Sequence, residues 1–220
     1  MFNFIVTGPQ MKAIDQYTIE KIGIPSMVLM ERAALHVQDC VEKNIHPKQS
    51  IAVICGMGNN GADGVAVGRM LFLKGYRVAV YLVGNVSKSS VEMKQQLKIA
   101  QNIGMPYFTK TVPETSQYAV LIDALFGIGL NKPVKGEYLN WIRFINQHKG
   151  VVFSVDVPSG LSATNGEVLG AAVQADYTIT FGLMKYGLTN ENGKSYAGEV
   201  VVGDIGYPEK AVRKILMRKV

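Results

Sequence analysis

A glycine-rich turn that could hold a phosphate follows the apolar segment at residues 51–55. Gly56, Gly58 and Gly61 have the spacing G-x-G-x-x-G, which in nucleotide-binding folds carries a strand into a helix. Glycines can adopt positive φ angles and let a backbone approach a ligand closely. The free N–H groups and the positive dipole end of the next helix would then face an anion. The motif predicts a phosphate site, with a nucleotide as the expected ligand.

Two features separate this turn from that of an ordinary dehydrogenase. The second predicted strand, residues 76–83, is followed by Gly-Asn and lacks the acidic residue that would bind the adenosine ribose. The turn also contains Asn59, Asn60 and Asp63, more polar groups than a phosphate cradle needs. Each alone could be structural, the asparagines by adopting a left-handed turn and Asp63 by capping the helix. Their combination with the glycine motif favours a ligand site.

Further polar residues stand where other predicted strands end. Asp123 ends the third strand, Asp156 and Ser159 follow the fourth, and Lys185 follows the fifth. Ligands of open parallel sheets bind outside the carboxyl ends of the strands, so we expect these residues to meet along one rim. Alone, Asp123 could form a turn and Ser159 could cap one.

An oxygen-ligated cation site is one interpretation of part of this rim. Asn60, Asp123 and Ser159 together supply hard oxygen ligands of low total charge. Mg²⁺ and Ca²⁺ usually recruit more carboxylates or substrate phosphates. The set suits a monovalent cation such as K⁺.

Proton transfer at the rim would fall to a carboxylate or to Lys185. The three histidines, His36, His46 and His148, lie on predicted helices or their flanks, away from the rim. Asp156 ends an apolar strand and stands shortly before a proline, which should fix its position. It is therefore the candidate acid or base.

Alternating apolar and amphipathic segments predict the elements that position these residues. Several strands are apolar on both faces, which is typical of a mostly parallel sheet with helices on each side. No repeat or linker interrupts the pattern, so an α/β fold with a single domain over residues 1–220 is expected. The loop 185–198 is expected to be an exposed connection or a hairpin. Strands are predicted at 51–55, 76–83, 120–122, 151–155, 177–181 and 199–202, and helices at 10–21, after Ser26 as a cap, after the glycine turn, and at 89–103 and 137–146.

Composition favours a small anionic ligand. The net charge of +6 gives a mild positive field, and the basic cluster at 210–219 is more typical of a solvated helix face than of a nucleic-acid patch. No apolar run is long enough to span a membrane, and the N-terminus lacks a signal-peptide pattern. Cys40 and Cys55 suggest no disulfide framework. A cytoplasmic protein that binds neither membrane nor nucleic acid is expected.

Several linked motifs resemble the NAD(P)H-hydrate epimerase family, the YjeF N-terminal domain family. The similarity extends over nearly the whole chain, and motifs in the right order are far more specific than a lone glycine turn. The matching segments are CGMGNNGADG at 55–64, DALFGIG at 123–129, DVPSG at 156–160, MKAID at 11–15, GIPSMVLME at 23–31 and TFGLMK at 180–185.

The resemblance implies a Rossmann-like three-layer αβα sandwich, commonly a homodimer. It implies an isomerase of cofactor repair that interconverts the R and S epimers of hydrated NADH and NADPH. Many bacterial relatives have a dehydratase domain after this one. The sequence ends at Val220 without it, so we expect either a stand-alone epimerase working with a separate NAD(P)H-hydrate dehydratase or an excised domain.

Our mechanistic hypothesis makes Asp156 the catalytic acid and base, with Lys185 assisting it or anchoring phosphate. The resemblance itself implies further residue roles. Asn60, Asp123 and Ser159 would bind one K⁺ per subunit. Ala62 departs from the glycine of many relatives, a modest change. Substrate contacts are expected from Asn59, Asn60, Gly61, Ala62, Asp63, Gly127, Ile128, Gly129, Leu130, Asn131, Lys132, Pro133 and Asp156.

Two alternatives stay open beside the epimerase. A non-catalytic nucleotide-binding or scaffold protein could keep the fold, but it need not keep Asn60, Asp123, Asp156 and Ser159 together. A dehydrogenase is disfavoured by the missing acid after the second strand.

Overall fold

A parallel sheet of seven strands forms the centre of the molecule. The computed structural model describes residues 4–109 and 111–217. The strand order is β4-β3-β2-β5-β6-β7-β9, and every neighbouring pair is parallel. The strands are β2 (Ser50–Cys55), β3 (Arg77–Leu82), β4 (Tyr107–Thr109), β5 (Val120–Ala124), β6 (Val151–Val155), β7 (Tyr177–Phe181) and β9 (Glu199–Gly203).

Helices cover both faces of this sheet, so the predicted three-layer α/β architecture is confirmed. Apolar residues of α2, α3 and α4 pack with one face of the sheet, and those of α5 pack with the other. None of the helices in the described ranges is long and apolar enough to cross a membrane. The helices are α1 (Gly8–Tyr17), α2 (Ser26–Asn44), α3 (Asn59–Leu73), α4 (Val91–Asn102), α5 (Glu137–Asn146), α6 (Glu191–Ala197) and α7 (Glu209–Leu216).

The order of the strands creates a topological switch point between β2 and β5. From β2 the chain moves outward to β3 and β4, whereas from β5 it moves the other way to β6, β7 and β9. The connections after β2 and β5 therefore leave the sheet edge in opposite directions. Ligands of open α/β sheets bind in the crevice that this divergence opens. The glycine turn and Asp123 stand on its two sides.

The two ends of the described chain meet beside that crevice. β1 (Ile5–Val6) pairs in parallel with β8 (Met184–Lys185), and α7 packs on α1. The helix α1 begins with a capping box, because Thr7 Oγ1 accepts from Gln10 N while Thr7 N donates to the Gln10 side chain. A small core of Val6, Met11, Ile14, Leu183, Ala211 and Val212 joins these pieces.

Several expectations for the elements need correction. The helix expected at 10–21 spans Gly8–Tyr17 and continues as a π-helical turn, Thr18–Ile22. Ser26 is the first residue of α2 rather than its cap, and its hydroxyl donates to Glu92. The loop expected at 185–198 contains α6, and Lys185 belongs to β8.

Candidate functional site

A cavity of about 790 Å³ opens at the carboxyl ends of the strands. Its walls come from α1, from the first turns of α2 and α3, from residues 125–132 after β5, and from residues that follow β6, β7 and β9. Side chains from distant parts of the sequence thus share one concave surface, as the rim argument predicts. Its size lies within the range of about 300–1,000 Å³ that is usual for small-molecule sites.

The first turn of α3 presents free backbone donors to this cavity. Gly58 is the N-cap, and no side chain satisfies the N–H groups of the first turn. A Cβ on Gly58 would meet no atom within 4 Å, so the backbone is open at this point. The positive end of the helix can therefore face an anion.

Gly56 and Gly61, the other two glycines of the motif, are required for a reason other than positive φ or room for a ligand. None of the three has positive φ. A Cβ on Gly56 would lie 2.1 Å from Leu125 O, and one on Gly61 would lie 1.8 Å from Gly56 O. Gly56 and Gly61 thus allow the turn to pack against neighbouring backbone, and only Gly58 leaves room for a ligand.

Asp156 is held in a constrained position at the end of β6. Its φ is +68°, a left-handed conformation that is uncommon for residues other than glycine and clusters at functional sites. Its N–H donates to Ile179 O at 2.8 Å. Oδ2 accepts from Ile128 N at 3.3 Å, and Oδ1 accepts from Thr180 Oγ1 at 3.2 Å and from Lys185 Nζ at 2.7 Å. Asp156 as a whole residue is 7% exposed, and it borders the cavity.

Lys185 is the buried partner of Asp156. Lys185 is 1% exposed, and its Nζ also donates to Phe181 O at 2.7 Å. The parallel pairing of β1 with β8 places Val6 beside Lys185, so the N-terminal strand supports this lysine. Two of the three donors on Nζ have protein acceptors. This geometry favours assistance to Asp156 over anchoring of a phosphate, the two roles that the sequence left open.

Asp123 and Ser159 lie behind the loop that follows β5. Asp123 Oδ2 accepts from Ser154 Oγ at 2.9 Å and from Ser159 N at 2.8 Å, and Oδ1 accepts from Leu125 N at 3.3 Å. Ser159 Oγ accepts from Phe126 N at 2.9 Å and donates to Phe126 O at 3.2 Å. Burial raises the pKa of Asp123, and the hydrogen bonds oppose that shift.

Asn60 completes this group from the other side of the crevice. Its Oδ1 lies 2.8 Å from the position a Cβ on Gly127 would take, and Asp156 Oδ2 lies 2.9 Å from it. The Asn60 carboxamide is also an orphan, since its buried Nδ2 has no hydrogen-bond partner among the described residues. Rotation about the last side-chain bond exchanges the amide oxygen and nitrogen, so the side chain can offer either atom to a ligand.

The oxygen ligands that these three residues offer fit a site for a monovalent cation. Asn60, Asp123 and Ser159 all reach the residues 125–127, and together they supply one carboxylate, one carboxamide and one hydroxyl. Asp123 Oδ1 has a single long contact, which leaves lone pairs for a ligand. Within residues 4–109 and 111–217, no three His, Cys, Asp or Glu side chains group as a metal site. The binding of K⁺ stays a prediction.

Asp63 lies inside α3 and borders the cavity, so its interpretation as the helix cap is wrong. Burial raises its pKa well above the ordinary value, and the negative charges of Asp156, Asp15 and Glu92 raise it further. A carboxyl of this kind tends to hold its proton, so it can donate a hydrogen bond to a ligand.

The sequence model described as YjeF-related protein N-terminus matches residues 26–187, which is most of the chain. The chain belongs to this YjeF-related family. A relative from Oenococcus oeni named NAD(P)H-hydrate epimerase is 45% identical over 210 residues, 95% of this chain and 100% of the relative. One of the same name from Limosilactobacillus reuteri (strain DSM 20016) is 45% identical over 214 residues, covering 93% and 96%.

A solved structure supports the YjeF-related fold. The crystal structure of yeast ynu0 aligns with a TM-score of 0.82, covering 97% of this chain and 93% of that chain at 21% identity. At this level of identity the likeness concerns the fold alone.

Most of the substrate contacts expected for this YjeF-related chain border the cavity. Gly61, Ala62 and Pro133 do not: Gly61 and Ala62 are buried in the first turns of α3, and Pro133 follows the part of the loop that lines the cavity. All the residue roles stay predictions. The predicted contacts that line it are Asn59, Asn60, Asp63, Gly127, Ile128, Gly129, Leu130, Asn131, Lys132 and Asp156. The histidines His36, His46 and His148 are absent from its lining, as expected.

Sequence reasoning missed several cavity residues of this YjeF-related chain. Asp15 comes from α1, which has no strand-end signal. Tyr207 follows β9, but it stands beyond the residues directly next to that strand end. Phe126 and Tyr138 form a ring pair with centroids 4.7 Å apart. Asp15 lies within the MKAID segment that carried the family resemblance, and this was the one signal available for it.

Proposed function

We propose that this chain interconverts the R and S epimers of hydrated NADH and NADPH. The observation that carries the proposal is the buried Asp156–Lys185 pair, which borders a cavity whose wall also contains an uncapped helix N-terminus. One feature can handle protons and the other can bind a diphosphate. The relatives named NAD(P)H-hydrate epimerase, similar over nearly their full length, support the same activity.

The cavity suits an anionic dinucleotide. The first N–H groups of α3 can bind the diphosphate, and Lys12, Lys88 and Lys132 border the same space. The Phe126–Tyr138 ring pair offers an apolar surface against which a planar ring can pack. Substrate would therefore be bound through backbone donors at one end and aromatic contact elsewhere.

The proposed reaction moves a hydroxyl group between the two faces of the reduced nicotinamide ring. A proton from the Asp156–Lys185 pair converts the hydroxyl into water, and the C–O bond breaks as the ring nitrogen lone pair forms a C=N bond. Water then adds to the other face of the same carbon and loses a proton. No oxidant or reductant is needed, because bonding electrons return to their starting arrangement.

We propose one K⁺ per subunit at Asn60, Asp123 and Ser159. A cation there would supply positive charge beside the loop 125–127 and help to bind an anionic substrate. The same proposal includes a homodimer and a separate NAD(P)H-hydrate dehydratase that consumes one epimer. A cytoplasmic location stays a prediction.

The direct test is chromatographic. One purified epimer of hydrated NADPH is incubated with the protein, with K⁺ or with choline at equal ionic strength, and the appearance of the other epimer is measured. We expect rapid interconversion that is faster with K⁺. Asp156→Asn should lower kcat by at least about 10²-fold, the usual contribution of a positioned acid or base.

Stability must be controlled in that test, because Asp156→Asn leaves Lys185 buried without its carboxylate. Breaking a buried ion pair from one side costs about 3–5 kcal/mol, whereas removing both partners costs much less. Asp156→Asn/Lys185→Met should therefore melt closer to wild type and still be inactive. Epimerisation by this double variant at the wild-type rate would remove Asp156 from the mechanism. Binding of the hydrate by wild type without interconversion would favour the non-catalytic alternative.

A further inference from the structure

A second carboxylate, Asp15, borders the same cavity from another wall. It lies on α1, and Tyr207 Oη donates to its Oδ1 at 2.9 Å. The Tyr207 ring packs over Gly182, where a Cβ would lie 2.4 Å from ring carbon Cδ2. The phenol is thus fixed by close packing, and it in turn holds the carboxylate. The arrangement parallels that of Asp156, which Lys185 holds on the wall formed by the end of β6.

The charges of the Asp156–Lys185 pair affect the pKa of Asp15. Burial raises the pKa of Asp15, and the hydrogen bond from Tyr207 opposes this shift. The charges of Asp156 and Glu92 raise the pKa further, while that of Lys185 lowers it. Burial and the adjacent Asp15 raise the pKa of Tyr207 well above its ordinary value, so its phenol stays a donor at neutral pH.

Exchange of a hydroxyl between two faces of a ring needs proton transfer on both faces. A fixed carboxyl reaches only one face of a bound ring, since general acid–base catalysis requires hydrogen-bond contact. The Asp156–Lys185 pair can therefore assist departure or return on its own side. The other side needs a group of its own or unassisted water.

We propose that Asp15, oriented by Tyr207, is a second catalytic residue that handles the proton on the ring face opposite to Asp156. This inference rests on the proposed epimerase function. In one direction the Asp156–Lys185 pair donates a proton to the departing hydroxyl, and the Asp15 carboxylate accepts a proton from the incoming water. In the other direction the two roles exchange. One proton passes from one group to the other per turnover, and the reverse turnover or solvent returns it.

Oxygen exchange with labelled water separates the two faces. Each purified epimer is incubated in H₂¹⁸O, and both epimerisation and label uptake by the unconverted epimer are followed. In Asp15→Asn we expect epimerisation to fall by about 10²–10⁴-fold. One epimer, whose hydroxyl faces Asp156, should still take up label without inverting. Asp156→Asn/Lys185→Met should give the mirror result, with label uptake by the other epimer.

Tyr207→Phe tests the positioning role. It removes the hydrogen bond that lowers the pKa of Asp15, so the limb of the kcat/KM profile that reports ionisation of Asp15 should move to higher pH. Asp15→Glu keeps a carboxyl group at this position, so it should retain part of the epimerase activity that Asp15→Asn loses. Glu20→Gln is the matched control, because it makes the same carboxyl-to-carboxamide change just after α1, at a side chain that does not line the cavity.

The outcomes distinguish the inference from the function on which it rests. If wild type does not interconvert the epimers, the proposed function itself is wrong. If wild type does and Asp15→Asn stays within about threefold of it, Asp15 is not catalytic. If Asp15→Asn loses label uptake by both epimers to the same degree as epimerisation, its role is structural. Each of the last two results overturns the inference and leaves the function standing.

Discussion

The carboxylates that line the cavity, and Asp123 behind its wall, differ in how protein groups compensate their charge. Asp156 has a buried lysine, Asp15 has a phenol, and Asp123 has three donors. Asp63 accepts no hydrogen bond from the described residues, and its neighbours in the cavity include other carboxylates. Its charged form is therefore the least favoured of the group, with a direct consequence for stability.

We expect Asp63→Asn to stabilise the protein increasingly as pH rises. The folded-state pKa of Asp63 lies well above the unfolded value of 3.8. Between these values the native state binds more protons than the unfolded state, so wild-type stability falls with rising pH by up to about 1.4 kcal/mol per unit. Asparagine cannot ionise and escapes this loss.

The measurement is the free energy of unfolding of both proteins from pH 4 to pH 8. The gap in favour of the variant should be small at the acid end and widen with pH. The exposed Asp39→Asn on α2 is the control and should show no such widening. A gap that is constant across the range would mean that Asp63 ionises as easily in the folded protein as in the unfolded one.

How far the site could be predicted depends on how each residue is placed. Asn60, Asp123 and Asp156 were predictable because parallel strands bring their carboxyl ends to one edge, so that chain order alone implied convergence. Asp15 was not, since α1 reaches the cavity only through packing, and Tyr207 lies in the coil after β9, whose course the strand end alone does not fix. Neither segment has a sequence pattern that specifies this packing.

At the scale of elements, the docking of α3 on the sheet decides where the glycine turn sits. A Cβ on Gly64 would lie 2.4 Å from Ala124 Cβ and 2.9 Å from Cys55 Sγ. Since the Ala124 Cβ is attached directly to the backbone of β5, it cannot make room without an energetic cost from shifting the strand or the helix. On Gly68 the nearest atom would be a methyl carbon of Val80 at 3.1 Å.

We expect Gly64→Ala to destabilise the protein by about 1–3 kcal/mol, because overpacking pushes α3 off the sheet. Gly68→Ala is the matched control on the same helix. There the helix-propensity gain of about 0.5–1 kcal/mol offsets a mild contact, so the net change should stay within about 1 kcal/mol. Denaturant unfolding of the two variants gives the comparison, and equal losses would contradict the role assigned to Gly64.

The elements that sequence patterns missed are short or exposed. The edge strand β4 has only three residues, and all three are exposed. β1 and β8 have two residues each, too few for a period to be recognised. The seven-residue α6 lies in a stretch rich in glycine and asparagine, where composition suggested a loop. The long strands and helices were predicted well because their burial imposes a period on many residues.

At the scale of the whole molecule, β1, α1 and α7, which lie near the two ends of the described residues, stabilise the cavity. Val6 of β1 pairs beside Lys185, and α1 carries Asp15 into the cavity. α7 lies on α1, where Val212 is fully buried in the core that also contains Met11 and Ile14. The integrity of the site should thus depend on a helix that contributes nothing to the cavity lining.

Val212→Ala tests this dependence. Removing two buried methyl groups should lower the free energy of unfolding by about 1–3 kcal/mol. Because the loss falls on the contact between α7 and α1, amide hydrogen exchange in α1 should accelerate more than exchange in β2 and β5. Lys214→Ala, on the exposed face of the same helix, should change stability by less than about 0.5 kcal/mol. Uniform acceleration across α1 and the central strands would show that α7 stabilises the fold globally and does not hold the Asp15 wall of the cavity in particular.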